Sequence, residues 1–188
     1  MSKWNRKLLV VDASVAAGSS DTRFNPLSDI EGDRNRRCLD AIWEEEHIAV
    51  FNQQLLLEWQ NHASPSSALW LQKMTLKSRT VLEEGEAFSE ICEAACDSLS
   101  SESRGAELRK DTHLIRSALA TGQLILSNET RFAQHLATAC SSVVELLRLH
   151  YANPAHEGEV CRLWIKAGAE KELIRRIDRW CATYLPEA

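Results

Sequence analysis

The chain has 188 residues, a formal net charge of −5, 44% hydrophobic and 26% charged residues. This length fits one domain with insertions, and no apolar run approaches the roughly 18 residues of a membrane span. The negative charge argues against a broad basic surface for nucleic acid, although a local basic patch remains compatible with it.

The first predicted element is a short strand at residues 7–12, KLLVVD, which ends at Asp12. An apolar run closed by an acid and followed by small residues is typical of a strand buried on both faces. Residues 24–33 contain turn-forming residues and predict a loop. Apolar residues at helical spacing then predict a helix from Arg37 to Glu46.

The middle of the chain predicts one further strand and several helices. The strand runs from His47 to Phe51, and the helix after it, from about Gln53 to His62, carries Glu58. The remaining predictions in this region are helices near 68–74 and 86–99, a short strand or turn at 80–82, and an exposed loop at 98–105.

The clearest unit begins at Asp111 or Thr112, either of which is suited to open a helix. The helix has one apolar face and ends at Gly122, and the sequence QLILS after it predicts a second buried strand. Asn128 and Glu129 then follow the carboxyl end of that strand.

A last strand is predicted from Leu149 to Asn153, and residues 156–184 predict one or two helices. Strands that alternate with helices imply an α/β fold with a parallel sheet, in which the carboxyl ends of the strands share one edge. Ligands bind at that edge in open sheets of this kind. The tail residues expected to face inward are Leu163, Trp164, Leu173, Ile177 and Trp180.

Four carboxylates are expected to meet at this edge: Asp12, Asp111 and Glu129, with Glu58 on the helix after the second strand. Crowded carboxylates repel one another unless a cation neutralises them. Mg²⁺ or Mn²⁺ prefers oxygen ligands and completes its shell with water and substrate phosphate. Such a site is suited to activate water for attack on a phosphodiester.

The same segments resemble the PIN-domain nucleases, a family that includes VapC-type toxin endoribonucleases. The residues that carry the resemblance are LLVVDASV (8–15), HIAVFNQQLLLEW (47–59), DTHLIRSALATGQLILSNETRF (111–132) and LHYANP (149–154). The resemblance implies a three-layer α/β/α sandwich with a central parallel sheet of four to five strands and extra helices.

The resemblance also implies roles for individual residues. The catalytic acids are Asp12, Glu58, Asp111 and Glu129, and the metal ligands among them are Asp12, Asp111 and Glu129. Residues expected near the metal or the substrate are Ser14, Ser127, Asn128, Arg131 and His62.

Three features depart from the family pattern. Glu129 stands where the family usually has Asp, and Arg131 stands where it often has a further acid, so that its guanidinium contacts either a phosphate or Glu129. The chain is also longer than a minimal PIN domain. We therefore divide it into a nuclease domain at 1–154, with an insertion at about 64–105, and a helical extension at 155–188 packed on the same domain.

The resemblance implies an RNA substrate, a possible antitoxin protein and a homodimer. Single-stranded or looped RNA is the expected substrate, because its backbone and bases are more accessible than those of a duplex. The amino-terminal sequence has no secretory signal, and the six cysteines form no CxxC pair. These features predict a cytoplasmic protein with buried free thiols and no membrane association.

Simpler interpretations exist for each residue alone. Asp12 is a common turn residue, Asp111 an ordinary helix cap, Glu58 a solvated acid, and Glu129 a first-turn acid favoured by the helix dipole. His113 is expected at the surface.

Other classes of protein compete with the nuclease. An aspartyl-phosphate phosphatase would need a second Asp at the position of Ser14, and a receiver domain would need an acidic pair and a late Lys that are not evident. A catalytically weak PIN-like scaffold, acting as a binding module, is the alternative that stays open.

Overall fold

The protein is described by a computed structural model over residues 6–20 and 29–185. Its centre is a five-stranded sheet in which all neighbouring strands are parallel, and the spatial order of the strands in chain numbering is 3-2-1-4-5. Helices flank this sheet, so the predicted α/β sandwich with a parallel sheet of four to five strands is confirmed. The strands are β1 (Leu8–Val11), β2 (Ile48–Phe51), β3 (Thr80–Leu82), β4 (Leu124–Leu126) and β5 (His150–Ala152).

Eleven α-helices lie within the described ranges, together with two 3-10 helices at Val144–Arg148 and Leu173–Arg175. The first six are α1 (Ala13–Ala17), α2 (Ile30–Glu44), α3 (Gln53–His62), α4 (Pro65–Leu76), α5 (Ser89–Asp97) and α6 (Glu102–Lys110). The other five are α7 (Thr112–Ala120), α8 (Thr130–Ala139), α9 (Pro154–Glu157), α10 (Glu159–Lys166) and α11 (Ile177–Tyr184). None of these helices has the length and apolar character needed to cross a membrane.

The strand β1 lies in the middle of the sheet, between β2 and β4. Leu9 pairs with Ala49 on one side and with Leu124 on the other, and all three residues are buried. Short apolar runs without alternation fit this position, because a central parallel strand is covered by helices on both faces. The residues that follow β1 and β4 are therefore neighbours.

A buried polar network holds the carboxyl-terminal segment against the sheet. The Glu157 carboxylate accepts hydrogen bonds from the backbone N–H of Asn153 at 2.8 Å and from the indole of Trp180 at 2.7 Å, and it pairs with Arg175. The Arg175 guanidinium also lies over the Trp164 ring, 4.8 Å from its centroid. This network fixes α11 beside β5, while the domain boundary at residue 154 stays a prediction.

Two predicted loops are shorter than expected. The helix α2 begins at Ile30, because Asp29 caps it by accepting a hydrogen bond from the Gly32 N–H at 2.8 Å; residues 24–28 of the predicted loop lie outside the described ranges. The helix α6 begins at Glu102, inside the loop predicted at 98–105, where the Ser101 side chain accepts from the Arg104 N–H at 3.3 Å. Local capping bonds decide both boundaries.

The inward face of the tail was predicted only in part. Trp164, Ile177 and Trp180 are buried, as expected. Leu163 and Leu173 are 52% and 64% exposed, so the prediction for them is wrong. Leu163 lies on the outer face of α10, and Leu173 begins a 3-10 helix, so helical spacing alone does not fix which way either side chain points.

All six cysteines are buried and free. Burial raises the pKa of the Cys92 thiol to about 11 and those of Cys140 and Cys181 to about 12. These thiols are poor nucleophiles at neutral pH, because the thiolate is the reactive form. The cysteines therefore act as small core residues.

Gly122, which precedes β4, lies very close to the backbone of β1, and a substitution there tests this close approach. A Cβ at this position would lie 1.8 Å from the backbone oxygen of Leu8, which cannot move without distorting β1. We expect Gly122→Ala to lower the free energy of unfolding by about 1–3 kcal/mol and Tm by roughly 3–10 °C. Thermal denaturation followed by circular dichroism measures this effect.

Gly85→Ala is the matched control, because a Cβ there first meets the carboxylate oxygen of Glu83, on a flexible side chain. We expect it to change stability by less than about 0.5 kcal/mol. Equal Tm values for the two variants would contradict the close approach of Gly122 to β1.

Candidate active site

The four predicted acids line a single cavity of about 570 Å³ at the carboxyl edge of the sheet. The cavity lies where β1 and β4 end side by side, at the point where the strand order changes direction. This is the position at which open parallel sheets bind ligands. The acids are Asp12, Glu58, Asp111 and Glu129, and Ser14, His62 and Arg131 share the lining.

Asp12 follows β1 and is held by two hydroxyl groups. Its Oδ2 accepts hydrogen bonds from Ser14 Oγ at 2.5 Å and from Ser127 Oγ at 2.7 Å. Ser127 is fully buried after β4, and its Oγ also accepts from the Glu129 N–H at 3.0 Å. The carboxylate is thus fixed by residues from both neighbouring strands.

Asn128 does not line the cavity but forms hydrogen bonds to the segments beside it. Its side-chain amide donates to Ser14 O at 3.1 Å, and its side-chain oxygen accepts from the Ala155 N–H at 3.1 Å. Its backbone N–H donates to Ser14 Oγ at 3.0 Å. The residue predicted to lie near the substrate therefore joins the loop after β4 to α1 and α9.

Glu58 is positioned by His113, for which the sequence analysis predicts a place at the surface; that prediction is wrong. His113 is 2% exposed, and its Nε2 lies 3.2 Å from Glu58 Oε2. Its Nδ1 lies 3.1 Å from the Lys110 carbonyl oxygen, which can only accept, so Nδ1 carries a hydrogen. Nε2 thus lies within hydrogen-bonding distance of one Glu58 oxygen, and the other oxygen accepts from Gln54 at 3.0 Å.

The burial of His113 follows from its place on α7. Asn52, the N-cap of α3, donates from its side chain to the His113 backbone oxygen at 2.9 Å and to Ser117 Oγ at 2.8 Å. These bonds hold α3 and α7 together and bring Glu58 to the histidine. The contact joins residues 55 positions apart, so no local pattern in the sequence indicates it. His62, which was expected near the metal or the substrate, lines the cavity but makes no hydrogen bond to Glu58 in the part of the chain that the structure describes.

Asp111 lies between α6 and α7. Burial, together with the charges of Asp12, Glu58 and Glu129, raises the pKa of this carboxyl to about 7. Its side chain makes no capping bond to α7. The interpretation of Asp111 as an ordinary N-cap therefore fails, and its carboxyl group is left to the cavity.

Glu129 and Arg131 occupy the outer side of the cavity. Glu129 stands at the N-cap position of α8 without a side-chain capping bond, and its backbone oxygen accepts from Tyr151 at 3.3 Å. Both side chains are exposed. No ion pair joins Arg131 to Glu129 in the described structure, which leaves the guanidinium available for a phosphate.

The donor set suits a hard divalent cation. Within residues 6–20 and 29–185, no three His, Cys, Asp or Glu side chains converge as ligands of one ion. Mg²⁺ needs no such convergence, because it keeps several waters and binds through one or two carboxylates. The fit rests on two carboxyl groups. One oxygen of Asp12 is fixed by two hydroxyls, and the pKa of Asp111 is raised by burial and by the neighbouring carboxylates, which a cation would offset.

Searches of protein-family models, curated proteins and solved structures found no match to this chain. The likeness to PIN domains therefore rests on the sequence segments given above, and the assigned roles of the site residues stay predictions.

The raised pKa of Asp111 predicts the pH dependence of stability. The folded protein holds this proton to higher pH than the unfolded chain, so the contribution of Asp111 to stability is greatest below its ordinary value of 3.8 and is lost as the pH rises through about 7. At pH 8 without metal, we expect Asp111→Asn to be more stable by about 1 kcal/mol, after a discount for solvent screening, which raises Tm by about 2–4 °C.

The same variant tests cation binding independently of catalysis. Mn²⁺ should raise the Tm of the unaltered protein, more strongly above pH 7 than below it, because the cation must displace the proton of Asp111. Asp111→Asn should lose most of this increase, whereas Glu145→Gln, an exposed change beyond the opposite edge, should keep it. An equal Mn²⁺ response in the two variants would contradict an ion at the acid cluster.

Proposed function

We propose that this protein is a Mg²⁺- or Mn²⁺-dependent endoribonuclease that hydrolyses phosphodiesters of single-stranded or looped RNA. The observation that carries the proposal is that four carboxylates line one cavity at the carboxyl ends of β1 and β4, with the pKa of Asp111 raised to about 7. Groups with perturbed pKa values in a cleft often mark functional sites. A divalent cation would both neutralise these carboxylates and activate water for hydrolysis of the phosphodiester.

The side chains that line the cavity would have separate roles in hydrolysis. Asp12 presents a carboxylate whose direction is set by Ser14 and Ser127. Glu58, held by His113, faces the cavity from α3 and is suited to orient a water molecule through its carboxylate. A bound divalent ion would supply a more acidic water and neutralise charge on the phosphate.

Asp111 also gives the site a means of handling a proton. With a pKa of about 7, its carboxyl exchanges a proton readily at neutral pH. Cation binding would lower this pKa, so the proton leaves as the ion arrives.

The family resemblance supports three wider proposals. The protein is proposed to be the toxin of a toxin–antitoxin pair, to bind an antitoxin over the acidic cavity, and to work in the cytoplasm as a homodimer. Each of these depends on the resemblance of residues 8–15, 47–59, 111–132 and 149–154.

A PIN-like scaffold without strong catalysis is the second candidate. It is favoured by the exposed position of Glu129, by Arg131 two residues later, and by the absence of three converging metal ligands within the described ranges. In that case the cavity would hold a cation or a phosphate without turnover.

The decisive variants are Asp12→Asn and Asp111→Asn, which keep the shape of each side chain and remove its charge. We expect each to reduce Mn²⁺-dependent cleavage of a single-stranded oligoribonucleotide by at least about 100-fold, since even partners outside the metal shell typically contribute 10–100-fold. Product formation on denaturing gels measures the rate, and EDTA should abolish it.

Glu145→Gln removes an exposed acid remote from the cavity and should cleave at the rate of the unaltered protein. Full activity in both Asn variants, or activity that survives EDTA, would refute the metal-dependent nuclease. Binding of Mn²⁺ by calorimetry without any cleavage would favour the scaffold.

A further inference from the structure

A second cavity, of about 820 Å³, adjoins the acidic one. It lies among α6, α8 and α11, and Ala182 forms part of its far wall. Glu107, Arg131 and His135 line both cavities. The two spaces therefore meet at these three side chains, and we call the second one the α8 groove.

The helix α8 has two distinct faces. Its apolar residues, Phe132, Ala133, Leu136 and Ala139, are buried in the core. Its polar residues recur at the spacing of neighbours on one helix face and line the groove. They are Arg131, Gln134, His135 and Thr138.

This polar stripe leads away from the acids. At about 1.5 Å per residue, it extends roughly 10 Å from Arg131 to Thr138. That length matches about three nucleotide steps of a stacked strand, at about 3.4 Å of axial rise each. A strand that leaves the acidic cavity at Arg131 can thus continue along the helix.

The charges in the α8 groove suit a phosphate backbone. Arg104 and Arg131 are exposed, and neither forms an ion pair with any other residue in the described structure. Glu107 is engaged by His135, whose Nε2 lies 3.0 Å from Glu107 Oε2; this hydrogen bond lowers the pKa of the carboxyl. The free cationic groups are therefore guanidiniums, which bind phosphate oxygens in pairs of hydrogen bonds.

We propose that the α8 groove binds the nucleotides on one side of the scissile phosphate, as a single strand, with backbone phosphates at Arg131 and Arg104. This inference rests on the proposed function, because the scissile phosphate is placed at the acid cluster. Residues of α6 and α11 line this groove on either side of α8. The hydroxyls of Ser101, Ser103 and Thr138 offer further contacts to the backbone.

The groove also suggests a role for the two segments that a minimal PIN domain lacks, the predicted insertion and the carboxyl-terminal extension. Arg104 lies in the segment predicted as an insertion, and Ala182 lies in the carboxyl-terminal extension. These two segments form opposite walls around α8. Substrate length is thus selected by elements outside the core that carries the acids.

Binding of RNA by the Asp12→Asn protein in Mn²⁺ tests the groove without cleavage. The probes are fluorescent single strands of about eight and about three nucleotides. We expect Arg104→Ala and Arg131→Ala each to weaken binding of the longer strand two- to fivefold, the range of exposed ion pairs. The slope of log affinity against log salt should fall by about 0.7 for each lost phosphate contact. Arg104→Ala should leave binding of the short strand unchanged.

Arg148→Ala is the matched control, because Arg148 is an exposed arginine beyond the amino end of β5, at the opposite edge of the sheet. Equal affinity of the Arg104 and Arg148 variants for the longer strand overturns the proposal, as does the absence of measurable binding. Equally strong competition by a poly-glutamate peptide of the same charge overturns the assignment to nucleotides.

The two proposals fail separately. If the Arg104 variant binds RNA normally while the unaltered protein cleaves it, the groove is refuted and the nuclease stands. If the Arg104 variant loses affinity but the unaltered protein cleaves nothing in Mn²⁺, the groove stands as an RNA-binding site and the nuclease is refuted.

Discussion

The parallel pairing of β1 with both β2 and β4 is the constraint on which the rest of the structure depends. Parallel strands end at one edge, so the polar residues after β1 and β4 have no other place to lie. The backbone N–H of Asp12 donates to the Leu126 oxygen at 2.9 Å, which continues the ladder up to the first acid. The position of the site is therefore a property of the sheet, and only its chemistry belongs to the side chains.

Concentration of negative charge at this edge opposes folding, and neutral hydrogen-bond donors offset part of that cost. The hydroxyls of Ser14 and Ser127 satisfy one oxygen of Asp12 without adding a positive charge that would compete with a cation. A cationic partner is used elsewhere, at the buried Glu157 and Arg175 pair, where no ligand has to enter. Breaking such a buried pair by removing one partner typically costs about 3–5 kcal/mol. Neither residue of this buried ion pair lines the acidic cavity.

Much of this arrangement could be predicted from the sequence, because it depends on short-range patterns. Apolar runs predicted the strands β1, β2, β4 and β5, and their alternation with helices predicted the sheet edge on which Asp12 and Glu129 lie. The burial of His113 was missed because it depends on how α3 and α7 pack, through Asn52 and Glu58. The early start of α2 depends on one capping bond, and the exposure of Leu163 on the direction of a short helix. Likewise, the α8 groove arises from three helices distant in sequence, which no periodicity within one segment reveals.

The burial of the cysteines has a practical consequence for following this molecule in solution. Apart from Cys181, which is 9% exposed and lines the α8 groove, thiol-directed reagents reach these side chains only when the surrounding core opens, so the rate of their modification reports opening of the fold. The background of reactive thiols on the native surface is correspondingly low among the described residues. A single cysteine introduced beside the groove would then be the preferred point of attachment for a spectroscopic label, without removal of any natural thiol.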